Sequence, residues 1–249
     1  MASRRPSTQE IDAVTEEVSL PEWKKQSVDR SLQAARTRAT ERSDRFVASA
    51  IELMGERDGL DFTVQDVVDH SRMSIRTFYN FFASKDDLLV AVHETILATE
   101  VVPRLRKRCD AETDPVRRIQ AYIQGIYDLT SKPGPVSRAL TTFRNRLVET
   151  RPEDLKRAFS PQIDLVVELV RNAAEAGELR TPLTPEAAAH LLHHTVLAVI
   201  HSRILSPTDL EVTPEELWSF CSSGIGAEAA PSASARKRPS PKRPAARGR

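Results

Sequence analysis

The sequence predicts an all-α fold, and three observations support that prediction. Apolar residues recur at helical spacing along most of the 249 residues. No segment shows the alternating apolar and polar pattern of a half-buried strand. Several prolines directly follow a capping residue, as in Asp114-Pro115 and Thr213-Pro214, and proline is favoured at the first position of a helix. We expect an N-terminal three-helix domain joined by a long helix to a larger helical domain.

The N-terminal extension, residues 1–37, is polar and mixed in charge, and we expect it to be mostly disordered. Trp23 within it either docks on the body of the protein or stays exposed. Arg38 and Arg42 follow, just before the apolar positions 46–54 of the first helix. These arginines are candidates for contacts with a DNA backbone or minor groove, and the alternative is a solvated basic face.

Residues 63–85 predict two short helices, a tight turn and the start of a third helix. Thr63 and Asp66 have the spacing of a capping box, and Ser74 is placed to cap the second helix. Two short helices joined by a turn of three or four residues form a helix-turn-helix. The predicted buried side of the second helix consists of Ile75, Phe78 and Phe82.

The outward side of that second helix has the residue types that read DNA, because such a helix lies in the major groove. Arg76 can pair with guanine and Asn80 with adenine, while the Thr77 methyl group can touch a thymine methyl group. The Tyr79 hydroxyl also points outward, and Lys85 at a helix N-terminus suits a phosphate. Small three-helix units also occur in proteins that do not bind DNA, so periodicity alone leaves both interpretations open.

The same segment resembles the N-terminal domain of TetR-family transcriptional regulators over roughly residues 38–90. The residues at the family's spacing are Ala50, Thr63, Ser74, Thr77, Phe78, Tyr79, Phe82, Ser84, Lys85, Leu88 and Leu89. This resemblance implies a regulator whose partner is double-stranded DNA. The candidate DNA-binding residues are Arg38, Arg42, Thr63, Ser74, Arg76, Thr77, Tyr79, Asn80 and Lys85.

Two positions depart from the family's pattern. Arg72 stands in the turn where the family often has glycine, and a residue other than glycine held at positive φ costs about 1 kcal/mol. Phe81 stands where the family often has His or Tyr, which removes one polar backbone contact.

Residues 91–225 are expected to form a ligand-binding and dimerisation domain of helices. Pro103 predicts a kink or an end in the helix that starts at Lys85, and Pro161 predicts an interruption in a later helix. Residues 226–249 should be a disordered tail with seven basic residues against Glu228 alone. Such a tail either adds non-specific DNA affinity or only keeps the protein soluble.

The helices between about residues 92 and 170 are expected to enclose a pocket for a small organic effector. No charged cluster is evident between residues 110 and 180, so an apolar effector is the expectation. The candidate lining residues are His93, Tyr122, Tyr127 and Phe143, each of which could instead be ordinary core. In the family's manner, a ligand would shift the long fourth helix and change the spacing of two recognition helices in a dimer.

The helix predicted over residues 185–204 contains four histidines, and its apolar residues fall on two sides. Leu191 and Leu192 lie on the side expected to face the core, and His190 and His194 lie on the other. Three interpretations remain open: a homodimer seam as in the resembling family, a metal site, or half-exposed histidines without a special role. The candidate dimer residues are His190, His194, Leu197, His201 and Trp218.

Several classes of function are disfavoured by what the sequence lacks. It has no nucleophile elbow, phosphate loop or metal motif, so we expect neither an enzyme nor a bound cofactor. Cys109 and Cys221 are far apart and unpatterned. Without an apolar run long enough for a membrane, a cytoplasmic protein is expected. The alternative function is an effector-independent DNA-binding accessory protein assisted by its basic tail.

Overall fold

The computed structural model describes residues 21–205 and 212–227, and the regular elements in these ranges are helices. The N-terminal elements are α1 (Glu22–Glu56), α2 (Val64–Ser71), α3 (Ile75–Phe81), α4 (Lys85–Ile96), a π-helical turn (Leu97–Val101) and α5 (Val102–Asp110). The elements that follow are α6 (Pro115–Leu129), α7 (Pro135–Thr150), α8 (Pro152–Glu175), α9 (Pro185–Leu205) and α10 (Pro214–Gly224). The all-α prediction is confirmed.

By its internal contacts the chain divides into two units, residues 1–44 and 45–249. In the first unit, the described residues from Glu22 onward are helical. The expected disorder is therefore wrong for residues 22–37, because this stretch is rich in strong helix formers and contains neither glycine nor proline. Trp23 is exposed, with the Lys24 ammonium 5.5 Å from its ring centroid. Residues 1–20, the rest of the predicted extension, lie outside the described residues.

The helix that begins at Lys85 continues past the position where Pro103 was expected to kink or end it. A π-helical turn precedes the proline, and the Val102 amide donates to the Leu97 carbonyl five residues earlier. A proline ring crowds the carbonyl four residues before it, and a wider turn gives that carbonyl room. The chain therefore passes from α4 into α5 without a loop.

The predicted interruption of α8 at Pro161 is also wrong, because α8 is continuous through this residue. Proline cannot donate to the carbonyl four residues earlier, which belongs to Arg157. The Ser160 hydroxyl donates to that carbonyl instead, at 3.0 Å. A neighbouring side chain thus satisfies the acceptor that the proline leaves open.

The buried side chains of the second unit form two large clusters that are joined by the packing of α7. One cluster combines the end of α1 with α2, α3 and α4, and it includes Leu140, Phe143 and Leu147 of α7. The other cluster fills the space among α5, α6, α8, α9 and α10. Because α7 packs on the N-terminal helices, it brings the helices that follow α5 into direct contact with α4.

No helix among the described residues is both long enough and apolar enough to cross a membrane. The basic tail predicted from residue 226 lies, beyond Ala227, outside the described residues. Leu179, which follows α8, forms an isolated antiparallel bridge with Ala227.

Candidate DNA-binding surface and effector cavity

The start of α2 is fixed by the capping box that the sequence predicts. The Asp66 amide donates to the Thr63 hydroxyl oxygen at 3.1 Å, and the Thr63 amide donates to the Asp66 carboxylate at 2.6 Å. Arg57 at the end of α1 makes a two-point contact with the same carboxylate, at 2.7 and 3.2 Å. The Arg57 guanidinium and the Thr63 groups hold the pKa of Asp66 well below its usual range.

The turn between α2 and α3 has the geometry expected of a helix-turn-helix. Arg72 closes α2 in the left-handed region, with φ 55°. Ser74 begins α3, and its hydroxyl oxygen accepts a hydrogen bond from the Thr77 amide at 3.1 Å. The hydroxyl groups of Thr63 and Ser74 therefore serve first as helix caps, although both residues are exposed.

The outward edge of α3 is accessible along its length. Arg76 and Asn80 are exposed and lie one helical turn apart, so their side chains leave the same face. Tyr79 is 56% exposed. Thr77 is half-buried, and its hydroxyl lies 2.7 Å from that of Ser74.

The inner edge of α3 differs from the predicted apolar trio at one position. Phe78 and Phe82 are buried, and Phe46 of α1 packs edge-on against both rings, at centroid distances of 5.4 and 6.2 Å. Ile75, however, is 41% exposed. Three aromatic rings already fill the space below α3, so the first residue of the helix stays at the surface.

The expected phosphate contact of Lys85 does not fit its position. Its ammonium donates to the carbonyl oxygens of Leu60 and Phe62, at 2.6 and 2.5 Å, and lies 4.2 Å from the Phe62 ring centroid. Burial lowers the pKa of Lys85. This side chain therefore ties the start of α4 to the connection between α1 and α2.

Arg38 and Arg42 belong to the first unit, within α1, and both side chains are exposed. They lie four residues apart and therefore on the same face of the helix. A role in DNA binding stays a prediction for both.

A cavity of about 240 Å³ lies in the larger domain, beyond the end of α4. Elements α4 to α9 all contribute to its wall. The lining consists of His93, Ile96, Leu97, Glu100, Val101, Arg104, Ile126, Leu129, Thr130, Ser137, Leu140, Thr141, Arg144, Phe159, Gln162, Leu197, Ile200, His201 and Ile204. Most of these side chains are apolar, as is usual for a small-molecule site.

Of the four residues predicted to line a pocket, only His93 does so. Tyr122 is fully buried, and its hydroxyl lies 3.0 Å from His193 and accepts from Gln162 at 3.2 Å. The Tyr127 hydroxyl donates to a backbone carbonyl at residue 212. Phe143 is buried in the N-terminal cluster. These three aromatic residues are core, which was the open alternative for each.

The cavity also contains the charge that the sequence did not reveal. Arg144 of α7 and His201 of α9 both face it, and the Arg144 Nη1 atom contacts the imidazole ring of His201. The residues are 57 positions apart, so no local pattern links them. The cavity wall therefore contains charged and polar side chains that the sequence between residues 110 and 180 did not reveal, and the identity of the effector stays a prediction.

Residues 46–92, which contain α2, α3 and the first turns of α4, match the family model for bacterial regulatory proteins of the tetR family. The chain carries a TetR-family DNA-binding domain. The match covers the capped helix pair and the aromatic cluster beneath α3. No protein of curated function matches the sequence at a significant level.

Solved structures of TetR-type regulators share the fold over most of the chain. FadR of Thermus thermophilus, a repressor in complex with lauroyl-CoA, has a TM-score of 0.60 at 19% identity and covers 76% of this chain and 97% of its own. The fatty acid degradation regulator FadR of Bacillus halodurans has a TM-score of 0.58 at 15% sequence identity, and the match covers 73% of this chain and 98% of that protein. Reduced NemR of E. coli has a TM-score of 0.59 at 20% sequence identity, and the match covers 76% of this chain and 100% of NemR.

In this TetR-type fold, the residues that α9 buries and exposes differ from those predicted for its two sides. His190 and His194 are exposed, and their ring centroids lie 6.2 Å apart. Leu191, which was expected in the core, is 58% exposed. Leu197 is 8% exposed, and His201 faces the cavity. Because α9 packs against α7, α8 and α10 at once, its buried arc is wider than predicted.

Trp218 of α10 is also a core residue, at 7% exposure, and is therefore wrong as a candidate for a dimer interface. Leu197, at 8% exposure, fails as a candidate for the same reason, whereas His201 is half-buried at the cavity and its place in a dimer interface stays a prediction. Within the described part of the chain, no group of three or more His, Cys, Asp or Glu side chains is placed to hold a metal ion.

Proposed function

We propose that this chain is a homodimeric transcriptional repressor that reads a specific DNA sequence and leaves it when a small organic molecule binds. The observation that carries the proposal is the outward edge of α3. Arg76 and Asn80 are exposed there on one face of a helix that is capped at Ser74 and anchored by Phe78. These are the side-chain types that pair with guanine and adenine in the major groove.

The cavity favours a ligand-responsive regulator over an effector-independent accessory protein. Ten of its nineteen lining residues are apolar and nine are polar or charged, so it offers both an apolar wall and groups that can orient a small molecule. The T. thermophilus FadR structure shows that a protein of this fold can hold an organic ligand. A DNA-binding protein without an effector has no need of such a space.

A direct route connects the cavity to the DNA-binding helices. His93 of α4 and Leu97 of the π-helical turn line the cavity, and α4 begins four residues after α3 ends. A ligand that binds one position of this helix better than the other shifts the population of the two states. Coupling of about 1–3 kcal/mol per site is typical for such a switch.

The exposed side of α9 and α10 supports the proposed dimer. On α9, Leu191, Ala198 and Leu205 recur at helical spacing and are exposed, and Phe220 of α10 is 70% exposed. A helix with exposed large and small apolar residues suits packing against its own copy about a two-fold axis.

Sedimentation of variants tests the dimer. Replacing Ala198 by Arg places a charge on the proposed seam and should shift the protein to monomers. The control is Ala111→Arg at the exposed end of α5, which should leave the dimer intact. Equal dimer fractions for both variants would remove α9 from the interface.

Selection of bound sequences from random DNA tests the whole proposal. The full chain should enrich an inverted repeat with half-sites about 10 base pairs apart, because a two-fold dimer places two recognition helices one DNA turn apart. Transcription from a promoter overlapping that site should fall when the protein is added. Enrichment of no sequence would overturn the proposed function.

A further inference from the structure

The wall of the cavity contains a positive charge, Arg144, that has no carboxylate partner among the described residues. In the described part of the chain, Arg144 forms no ion pair, and its Nε atom has no hydrogen-bond partner. Its guanidinium carbon lies 5.1 Å from the Phe159 ring centroid. Glu100 also lines the cavity, but it pairs with Arg104 at 3.3 Å. The charge of Arg144 is therefore left for something else to balance.

The two histidines beside Arg144 do not change this balance. Burial and, to a smaller extent, the charge of Arg144 together lower the pKa of His201 to about 4. Burial, with smaller contributions from Arg144 and His201, lowers the pKa of His93 to about 4. The pKa of Arg144 falls to about 10 through burial, so at neutral pH it alone is charged among the three.

His93 is a second sign that the cavity is built for a polar group. It is 8% exposed, its ring centroid lies 4.7 Å from that of Phe159, and neither ring nitrogen has a partner within the described residues. Buried polar atoms without partners are uncommon, since each costs the free energy of its lost hydration. A ligand atom that accepts or donates a hydrogen bond here would satisfy this ring.

We propose that the effector is a small organic carboxylate, held by Arg144 through its anionic group and by the apolar wall through its body. Guanidinium groups bind carboxylates at two points, and a desolvated pair is stronger than one in water. Leu97, Leu140 and Ile200 supply the apolar wall. The cavity, at about 240 Å³, has room for a body such as a short chain or one ring.

This assignment rests on the proposed function for its regulatory meaning, but ligand binding can be measured without DNA. Isothermal titration calorimetry with the full chain would compare hexanoate with 1-hexanol, and benzoate with benzyl alcohol, at neutral pH. At least one carboxylate should bind about tenfold or more tightly than its alcohol, because the half-buried Arg144 cation gains a charge-assisted partner.

Two variants locate the effect. Arg144→Gln should abolish the preference for the carboxylate, whereas Arg106→Gln, which removes an arginine of α5 that pairs with Glu168 outside the cavity, should keep it. If Arg144→Gln does not fold, the comparison of each carboxylate with its alcohol on the unaltered protein still decides.

Equal or tighter binding of the alcohols would overturn the carboxylate assignment, as would the absence of binding by both carboxylates at millimolar concentration. Unchanged preference in Arg144→Gln would overturn the role of Arg144. None of these results affects the selection of a DNA site, so failure of this inference is distinguishable from failure of the proposed function.

Discussion

Arg72 ends α2 in the left-handed region, at φ 55°, where a Cβ atom is strained. Replacement by glycine removes this strain, so Arg72→Gly should have a free energy of unfolding about 0.5–1 kcal/mol higher than Arg72→Ala. The alanine variant is the matched control, since it loses the same side-chain charge but keeps the Cβ atom. Urea unfolding measures the difference, and a less stable glycine variant would contradict the strain at this turn.

His193 predicts how stability depends on pH. It is 1% exposed, and burial lowers its pKa to about 3. A histidine in the unfolded chain has a pKa of about 6.5. As pH falls, the unfolded chain therefore binds a proton at this residue while the folded protein does not. Stability present above pH ~6.5 is lost below it, by about 2 kcal/mol at pH ~5 for this residue.

His193→Gln keeps a polar group beside Tyr122 but removes this titration. The variant should lose about 2 kcal/mol less stability than the unaltered protein between pH ~7 and ~5. His190→Gln, at an exposed position of the same helix, is the control and should follow the unaltered protein. Urea unfolding monitored by tryptophan fluorescence gives the values. Parallel pH curves for all three proteins would show that His193 does not contribute.

Individual residues were predictable where their partners are close in sequence. The caps at Thr63 and Ser74 close hydrogen bonds three residues away, so spacing alone identifies them. Lys85 was misassigned because its carbonyl partners lie 23 and 25 residues earlier. Arg144 was missed because only the fold brings it to His201.

At the scale of elements, ion pairs join the larger domain to the start of α4. Arg151, between α7 and α8, contacts Asp87 at 2.6 Å, and Arg146 of α7 contacts Asp86 at 2.5 Å. Both carboxylates lie in the first turn of α4, directly after the recognition helix. A shift of α7 around a bound ligand therefore acts on the helix that follows α3.

Arg151→Gln should weaken the transmission of ligand binding without weakening ligand binding itself. We expect the ligand-induced loss of DNA affinity to shrink by about 0.5–2 kcal/mol, the range seen for residues along a coupling route. Arg171→Gln is the control, because its pair with Glu186 lies between α8 and α9. DNA titrations with and without an effector that releases the unaltered protein measure the coupling. Equal coupling in both variants would exclude the Asp87 contact from the route.

The positions of the helices were predicted better than which side of each helix is buried. Helix starts at Asp114, Ser84 and Thr213 followed from capping chemistry, which is local. Continuity through Pro161 depends on a hydroxyl that replaces the missing donor. The buried arc of α9 depends on three neighbouring helices, which no periodicity within α9 can show.

At the scale of the molecule, the order of the helices and the helix-turn-helix followed from the sequence, because caps and apolar spacing define them. The cavity could not be predicted in this way, since residues from six α-helices and the π-helical turn meet there. Arg144 in its wall is the basis for proposing an anionic effector in place of the apolar one expected from the sequence. The proposed DNA-reading edge, in contrast, lies within the seven residues of α3, so a local sequence pattern is enough to predict it.

The most direct test of this account is a position-by-position binding profile on the selected DNA site, measured for the unaltered protein, Arg76→Ala and Arg104→Ala. Arg76→Ala should lose preference at one base pair in each half-site and bind about 1–3 kcal/mol more weakly there. Arg104→Ala, with the same charge change on α5, should keep the full profile. An Arg76→Ala profile identical to that of the unaltered protein would contradict the claim that the outward edge of α3 reads the DNA sequence.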